Sequence, residues 1–261
     1  MPRITLEKDN LDERNAEFVH APLRQPLFLN SVPKSGTHLL RNILRMFVDV
    51  RSHYTAAFIQ VAQFRQHLAA FTGDPPKLSW GHLLFDDEPA IHLKAARHIL
   101  LVRDPYSWVL ARARFYLSEN FDGRLDHLKA GNVSVNDLLN MMIFGIHRKA
   151  PGMEETYRYN ACAWMGGAVY MVRYEELSAA VKDLESLQSE AYFAQLLLAC
   201  GIERPDDWRE RVRIGSDRKQ SSTARENLKD TGVVLPDELP LAQKRLVEYA
   251  APGLRALLGY A

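Results

Sequence analysis

The chain has 261 residues, 47% of them hydrophobic, with 33 Lys plus Arg against 32 Asp plus Glu. It can bury a substantial core, but a charge so near balance excludes the overall positive field that draws a protein onto nucleic acid or an anionic membrane surface, so an anion site must be local. Cys162 and Cys200 are too few for a disulfide scaffold and lack zinc-ligand spacing, and the nine histidines form no His-x-x-x-His pair, so buried thiols and no bound metal are expected.

Residues 1–25 read as an arm, dense in charge at first and then punctuated by Pro22. They lack the apolar centre of a secretion signal, and no later segment approaches the roughly 18 apolar residues of a membrane span, so a soluble, cytoplasmic protein is expected. "LFLNSV" (27–32) is a short apolar run leading into a turn and a helix, the pattern of a buried parallel strand. From His38 onward, Leu39, Leu40, Ile43, Leu44 and Phe47 recur at helical spacing with Arg41 and Arg45 between them. "KLSWGHL" (77–83) is a weaker strand, and "HILLVRD" (98–104) a clear one, with Pro105 suited to the first turn of the helix that follows. Helices are predicted over 133–147 and 156–165, a third clear strand in "AVYMVRY" (168–174), a long surface loop over 201–236 and a last helix after Pro240. The fold class is α/β, a single domain over 1–261 with a central parallel sheet flanked by helices on both faces. In such sheets ligands bind beyond the carboxyl ends of the strands.

The first of those ends carries Pro33, Lys34, Ser35, Gly36, Thr37 and His38. A glycine-containing turn heading a helix aims several backbone N–H groups one way, and the helix dipole adds positive charge at the same point. Lys34 adds a full charge and Thr37 a hydroxyl. A Walker A loop would need lysine at position 37, so an ordinary ATP or GTP cradle is disfavoured. The order Pro-Lys-Ser-Gly-Thr after a strand resembles the 5′-phosphosulfate loop of the sulfotransferase family, which draws on 3′-phosphoadenosine-5′-phosphosulfate (PAPS) and leaves the bisphosphate PAP.

That resemblance implies a P-loop NTPase-like fold and a set of site residues. Lys34, Ser35, Gly36, Thr37 and His38 would hold the 5′ end, with Lys34 also catalytic. In "WGHLLF" (80–85), His82 matches the family's general base, and imidazole is the side chain best poised to take a proton near neutral pH. Arg103, at a strand end before Asp104 and Pro105, matches the 3′-phosphate ligand. Tyr174 in "VRYEEL" matches the tyrosine that approaches adenine. In "SDRKQSSTAREN" (216–227), Arg218, Lys219 and Arg225 match the closing basic loop. The chain departs from the pattern at Leu39, where the family often has Trp, at Gln220 in place of glycine, and at Ala111 in place of a 3′-phosphate serine. Arg114 shares the face of Ala111 and is a candidate substitute. The implied reaction is sulfuryl transfer to a hydroxyl or amine of a small-molecule acceptor. A nucleotide-dependent phosphotransferase and a non-catalytic PAP-binding module stand as alternatives.

Overall fold

Period-two alternation in the strands decides which side chains go to which face. In a computed structural model that describes residues 3–4, 8–122, 125–129, 131–221 and 233–260, four parallel strands form the central sheet. They are β1 (Leu27–Ser31), β2 (Leu78–Gly81), β3 (Arg97–Val102) and β4 (Val169–Arg173), in the order β2-β1-β3-β4. Leu27, Leu29, Ile99 and Leu101 point to one core, while Phe28, Leu100 and Val102 point to the other.

The first core is covered by α1 (Thr37–Arg45) through Leu40, Ile43 and Leu44. On the second face lie α2 (Pro105–Leu117), α3 (Val135–Phe144) and α4 (Met153–Asn160), which contribute Trp108, Leu139, Met142 and Tyr157. The chain then returns to the first face with α5 (Tyr174–Lys182), α6 (Leu187–Cys200) and α7 (Trp208–Ser216), which bring in Leu177, Phe193, Leu197, Trp208 and Val212. Last comes α8 (Leu241–Ala250), whose Val247 closes the second core. Helices thus cover both faces of a parallel sheet, as the sequence pattern requires. Among the described residues no helix is long and apolar enough to cross a membrane.

Two expectations need correction. The segment 201–236 is not one surface loop, because α7 buries Trp208 and Val212 and packs so tightly on α1 that a Cβ on Gly215 would lie 2.6 Å from the Asn42 carbonyl oxygen. Its charged residues hid this: Arg211 is itself buried, donating to Asp207, Met46 O and Val19 O. Nor are residues 1–25 a plain arm. A short helical turn, Leu11–Asn15, buries Leu11, and Asn15 Nδ2 donates to Arg45 O and Val48 O, capping the carboxyl end of α1. Arg45 meets Asp9 through both guanidinium nitrogens and Asp12 through one.

The edge of β2 is protected by residues 53–59, which make parallel bridges to Leu78 and Gly81. A Cβ on Gly81 would fall 2.0 Å from the Ile59 carbonyl oxygen, so glycine is what allows this approach. Cys200 is buried and Cys162 half-buried, both as free thiols, and burial raises the pKa of each.

His98 lies buried between Phe28 and Trp164, with ring centroids at 5.7 and 4.8 Å, and its Nε2 has no hydrogen-bond partner among the described residues. Burial lowers its pKa to about 3. The unfolded chain titrates near 6.5 and so binds more protons between those values, and stability falls as the pH drops below about 6.5. Urea unfolding at pH 7 and pH 5 is expected to show His98→Phe losing about 2 kcal/mol less than the wild type over that interval. Equal losses in the two proteins would contradict the assignment.

Candidate active site

Parallel register sets the carboxyl ends of the four strands in one row. Asn30 pairs with Gly81, Ser31 with Leu101, and Val102 with Arg173. The residues that follow each strand therefore emerge side by side: the loop 32–36, His82, Arg103 and Tyr174.

The loop is held in a constrained shape. Lys34 has φ +67° and Gly36 φ +96°, both in the left-handed region, where a side chain other than glycine's costs about 1–2 kcal/mol. Lys34 tolerates this because its neighbours are clamped: Trp108 Nε1 donates to Pro33 O, and Ser35 N–H donates to Val32 O. Ser35 N–H is thus spent inside the turn. The amides of Gly36, Thr37 and His38 have no backbone acceptor among the described residues and remain at the head of α1. Ser35 is 0% exposed, yet its Oγ has no hydrogen-bond partner among the described residues. A buried hydroxyl left unpaired is costly, and an oxyanion in the loop would satisfy it.

The charge here is local and positive, as the near-neutral sequence demanded. His38 is lowered to about 3 by burial, and then by the charges of Arg41 and Lys34. Arg41 lies over Trp80 at 4.9 Å, with its Nε buried and without a hydrogen-bond partner among the described residues, and burial lowers its pKa to about 10. Lys34 rests its Nζ over the Phe115 ring, 3.7 Å from the centroid.

His82 follows the last residue of β2. Asn30 fixes that exit: its Nδ2 donates to Leu83 O at 3.0 Å, and its Oδ1 accepts from the N–H groups of Ser31 and Leu83, both at 2.9 Å. The imidazole Nδ1 sits 2.8 Å from Ser31 O, and the ring meets Phe58 edge-on at 4.7 Å. A carbonyl oxygen can only accept, so the neutral ring carries its proton on Nδ1 and leaves Nε2 as the basic nitrogen. Burial lowers the His82 pKa to about 4, with the Lys34 charge adding to that and hydrogen bonds to the Ser31 and Gly81 carbonyls opposing it.

Arg103 lies 4.3 Å over the Tyr174 ring, donates from Nε to Ser107 Oγ at 2.9 Å and reaches Lys34 O at 3.5 Å. The Ser107 hydroxyl in turn donates to Glu175 at 2.9 Å, and Glu175 also accepts from Tyr260 at 2.8 Å. Tyr157 donates to Arg103 O at 2.7 Å. Asp104 caps α2 by accepting from Tyr106 N–H and binds Arg255 through both of its oxygens. Ser107 and Tyr157 were not singled out from the sequence. Only the four-residue step from Arg103 to Ser107 carried a local signal.

The structure brings Lys34, Ser35, Gly36, Thr37, His38, His82, Arg103 and Tyr174 together. It does not bring Arg114 to Arg103, since about 13 Å of helix rise separates it from Pro105, and Arg114 makes no hydrogen bond or ion pair with a described residue. Arg218 and Lys219 are exposed on one helical turn after α7. Gln220, which replaces the family's glycine, ties that turn down: Asn42 donates to its carbonyl and its side chain accepts from Asn10 N–H. Arg225 lies outside the described residues. Of the aromatic residues near these strands, Phe64, Trp108 and Tyr116 are core, and Phe58 and Phe115 are the ones against His82 and Lys34.

No family model matches this chain, and neither does any curated protein. Among solved structures, a mouse sulfotransferase, SULT7A1, complexed with PAP, superposes with a TM-score of 0.54 over 98% of this chain and 94% of its own, at 15% identity. A sulfotransferase domain from the curacin biosynthetic pathway aligns over 92% of this chain and 99% of its own, at 14% identity and a TM-score of 0.43. At such identity the first of these establishes the fold.

A Cβ on Gly36 would lie 2.4 Å from Tyr174 Cδ2 and would sit at positive φ. Gly36→Ala is expected to cost about 1–2 kcal/mol in urea unfolding and to abolish the protection that sulfate gives the wild type. Undiminished protection by sulfate would refute the account of the loop.

Proposed function

Starting from a chain that carries the sulfotransferase fold, we propose that it transfers a sulfuryl group from PAPS to a hydroxyl or amine of an acceptor. One observation carries the reading: a neutral imidazole, with Nε2 basic, is bonded to the same strand that leads into the anion loop, near enough to Lys34 to feel its charge. A module that only held a nucleotide would have no need of a proton acceptor there. The mouse structure of the same fold is a PAP complex. The unpaired Ser35 hydroxyl and the cationic surroundings of His38 fit the 5′ end of such a nucleotide.

PAPS supplies the activated sulfuryl group, and the protein's part is positioning and charge stabilisation, as in phosphoryl transfer. The amides of Gly36, Thr37 and His38 and the hydroxyls of Ser35 and Thr37 receive the 5′ end. Arg103, braced by Ser107 and Tyr174, offers its planar guanidinium to the 3′-phosphate. Tyr174 flanks the adenine, and Arg218 and Lys219, exposed on the turn after α7, add positive charge for the phosphate. His82 Nε2 takes the acceptor's proton. Lys34 leaves the face of Phe115 to neutralise the bridging oxygen, the work a metal ion does in kinases. The acceptor approaches past Phe58 and Phe115.

Calorimetry with PAP and assays with labelled PAPS over a panel of acceptors test this. His82→Ala is expected to keep PAP affinity while turnover falls about 10² to 10⁴-fold. Lys34→Ala should lose both, and EDTA should leave the rate unchanged. No heat on adding PAP would overturn the donor, and near-normal turnover in His82→Ala would overturn the base.

A further inference from the structure

Ser31, the last residue of β1, is buried and touches both halves of the site. Its Oγ lies 2.8 Å from Thr37 Oγ1, 3.1 Å from His82 Nδ1 and 3.5 Å from Gly81 O, while its carbonyl accepts from the same Nδ1 at 2.8 Å. We propose that the Ser31 hydroxyl is a positioning group that couples occupancy of the anion loop to the orientation and basicity of His82; this deepens the function proposed above and rests on it.

The proton inventory leads there. His82 Nδ1–H faces two oxygens of Ser31, so the hydroxyl oxygen can only accept from it, and the hydroxyl's own proton must go elsewhere. Two arrangements satisfy the distances. In one, Thr37 O–H donates to Ser31, and Ser31 donates across the longer gap to Gly81 O. In the other, Ser31 O–H donates to Thr37 across the shorter gap, and Thr37 O–H is freed to point into the loop. Only the second gives an oxyanion a donor from Thr37, so a bound anion selects it.

Every donor in the chain then points toward the anion, from His82 Nδ1–H through Ser31 O–H to Thr37 O–H. Hydrogen bonds aligned in this way strengthen one another. Stronger donation from Nδ1 leaves Nε2 more basic, so the base is primed when the loop is filled. No covalent bond forms or breaks; two hydroxyl protons turn.

Nitrogen NMR of protein labelled at histidine reads this directly. Inorganic sulfate, and separately PAP, are titrated into the wild type, Ser31→Ala and Ser31→Thr, while calorimetry follows binding. Each anion is expected to move the His82 Nδ1 resonance in the wild type and in Ser31→Thr. In Ser31→Ala the carbonyl contact is kept and sulfate affinity should stay within about threefold, the effect of one neutral hydrogen bond, but the Nδ1 shift should drop below half. A full shift in Ser31→Ala, or none in the wild type, overturns the coupling, as does loss of sulfate binding in Ser31→Ala, which would make Ser31 a scaffold of the loop. A wild type that answers to sulfate but ignores PAP would instead sink the nucleotide assignment and leave the coupling standing.

Discussion

Parallel pairing of β1 with β2 and β3 is the constraint on which the site depends. Because Asn30 sits opposite Gly81, the next residues, Ser31 and His82, meet at the sheet's edge. Because Ser31 sits opposite Leu101, Arg103 arrives beside the loop that Ser31 begins. A slip of one residue would send every side chain of β1 to the wrong face and part His82 from the Ser31 carbonyl. Asn30 guards against this from within the core, using both ends of its amide to pin the start of the segment after His82.

Charge is the second organising element. The molecule has a formal net charge of +1, yet His38 is surrounded by positive groups strong enough to add to its desolvation. Of the acidic residues nearby, Asp12 lies at the far end of α1, Asp9 bridges that end to Arg41 at 3.9 Å, and Asp104 and Glu175 lie behind Arg103. Those at Arg103 hold its supports without meeting its guanidinium, since Glu175 binds Ser107 and Asp104 binds Arg255. Arg103 therefore forms no ion pair with a described residue. A helix head, one lysine and two arginines make a locally positive region in a protein with almost no overall field.

The departures from the sulfotransferase pattern have physical counterparts. Where serine is absent at Ala111, Ser107, one turn earlier on α2, meets Arg103. Where glycine is absent at Gln220, the longer side chain ties the turn to Asn10 and its carbonyl to Asn42 of α1. Phe115, four residues after Ala111 on the same helix, gives the Lys34 ammonium a resting face.

The sequence by itself determined the strands, the elbow and the order of the motifs, because these are local: a short continuous apolar run, glycine at a left-handed turn and proline opening a helix act within a few residues. The placement of His82 and Arg103 beside the loop was legible because each follows a strand, and a parallel sheet gathers such ends. Tertiary structure alone decided the rest. Trp208 and Arg211 looked like parts of a polar loop because burying an arginine needs acceptors from Met46 and Val19, more than 160 residues away. Glu175 and Tyr260 became a brace for Arg103 only once β4 and the chain's end were set beside α2. The reach of Ser31 to both Thr37 and His82 likewise depends on register, which no single segment encodes, since hydrogen bonds between distant residues leave no period in the sequence.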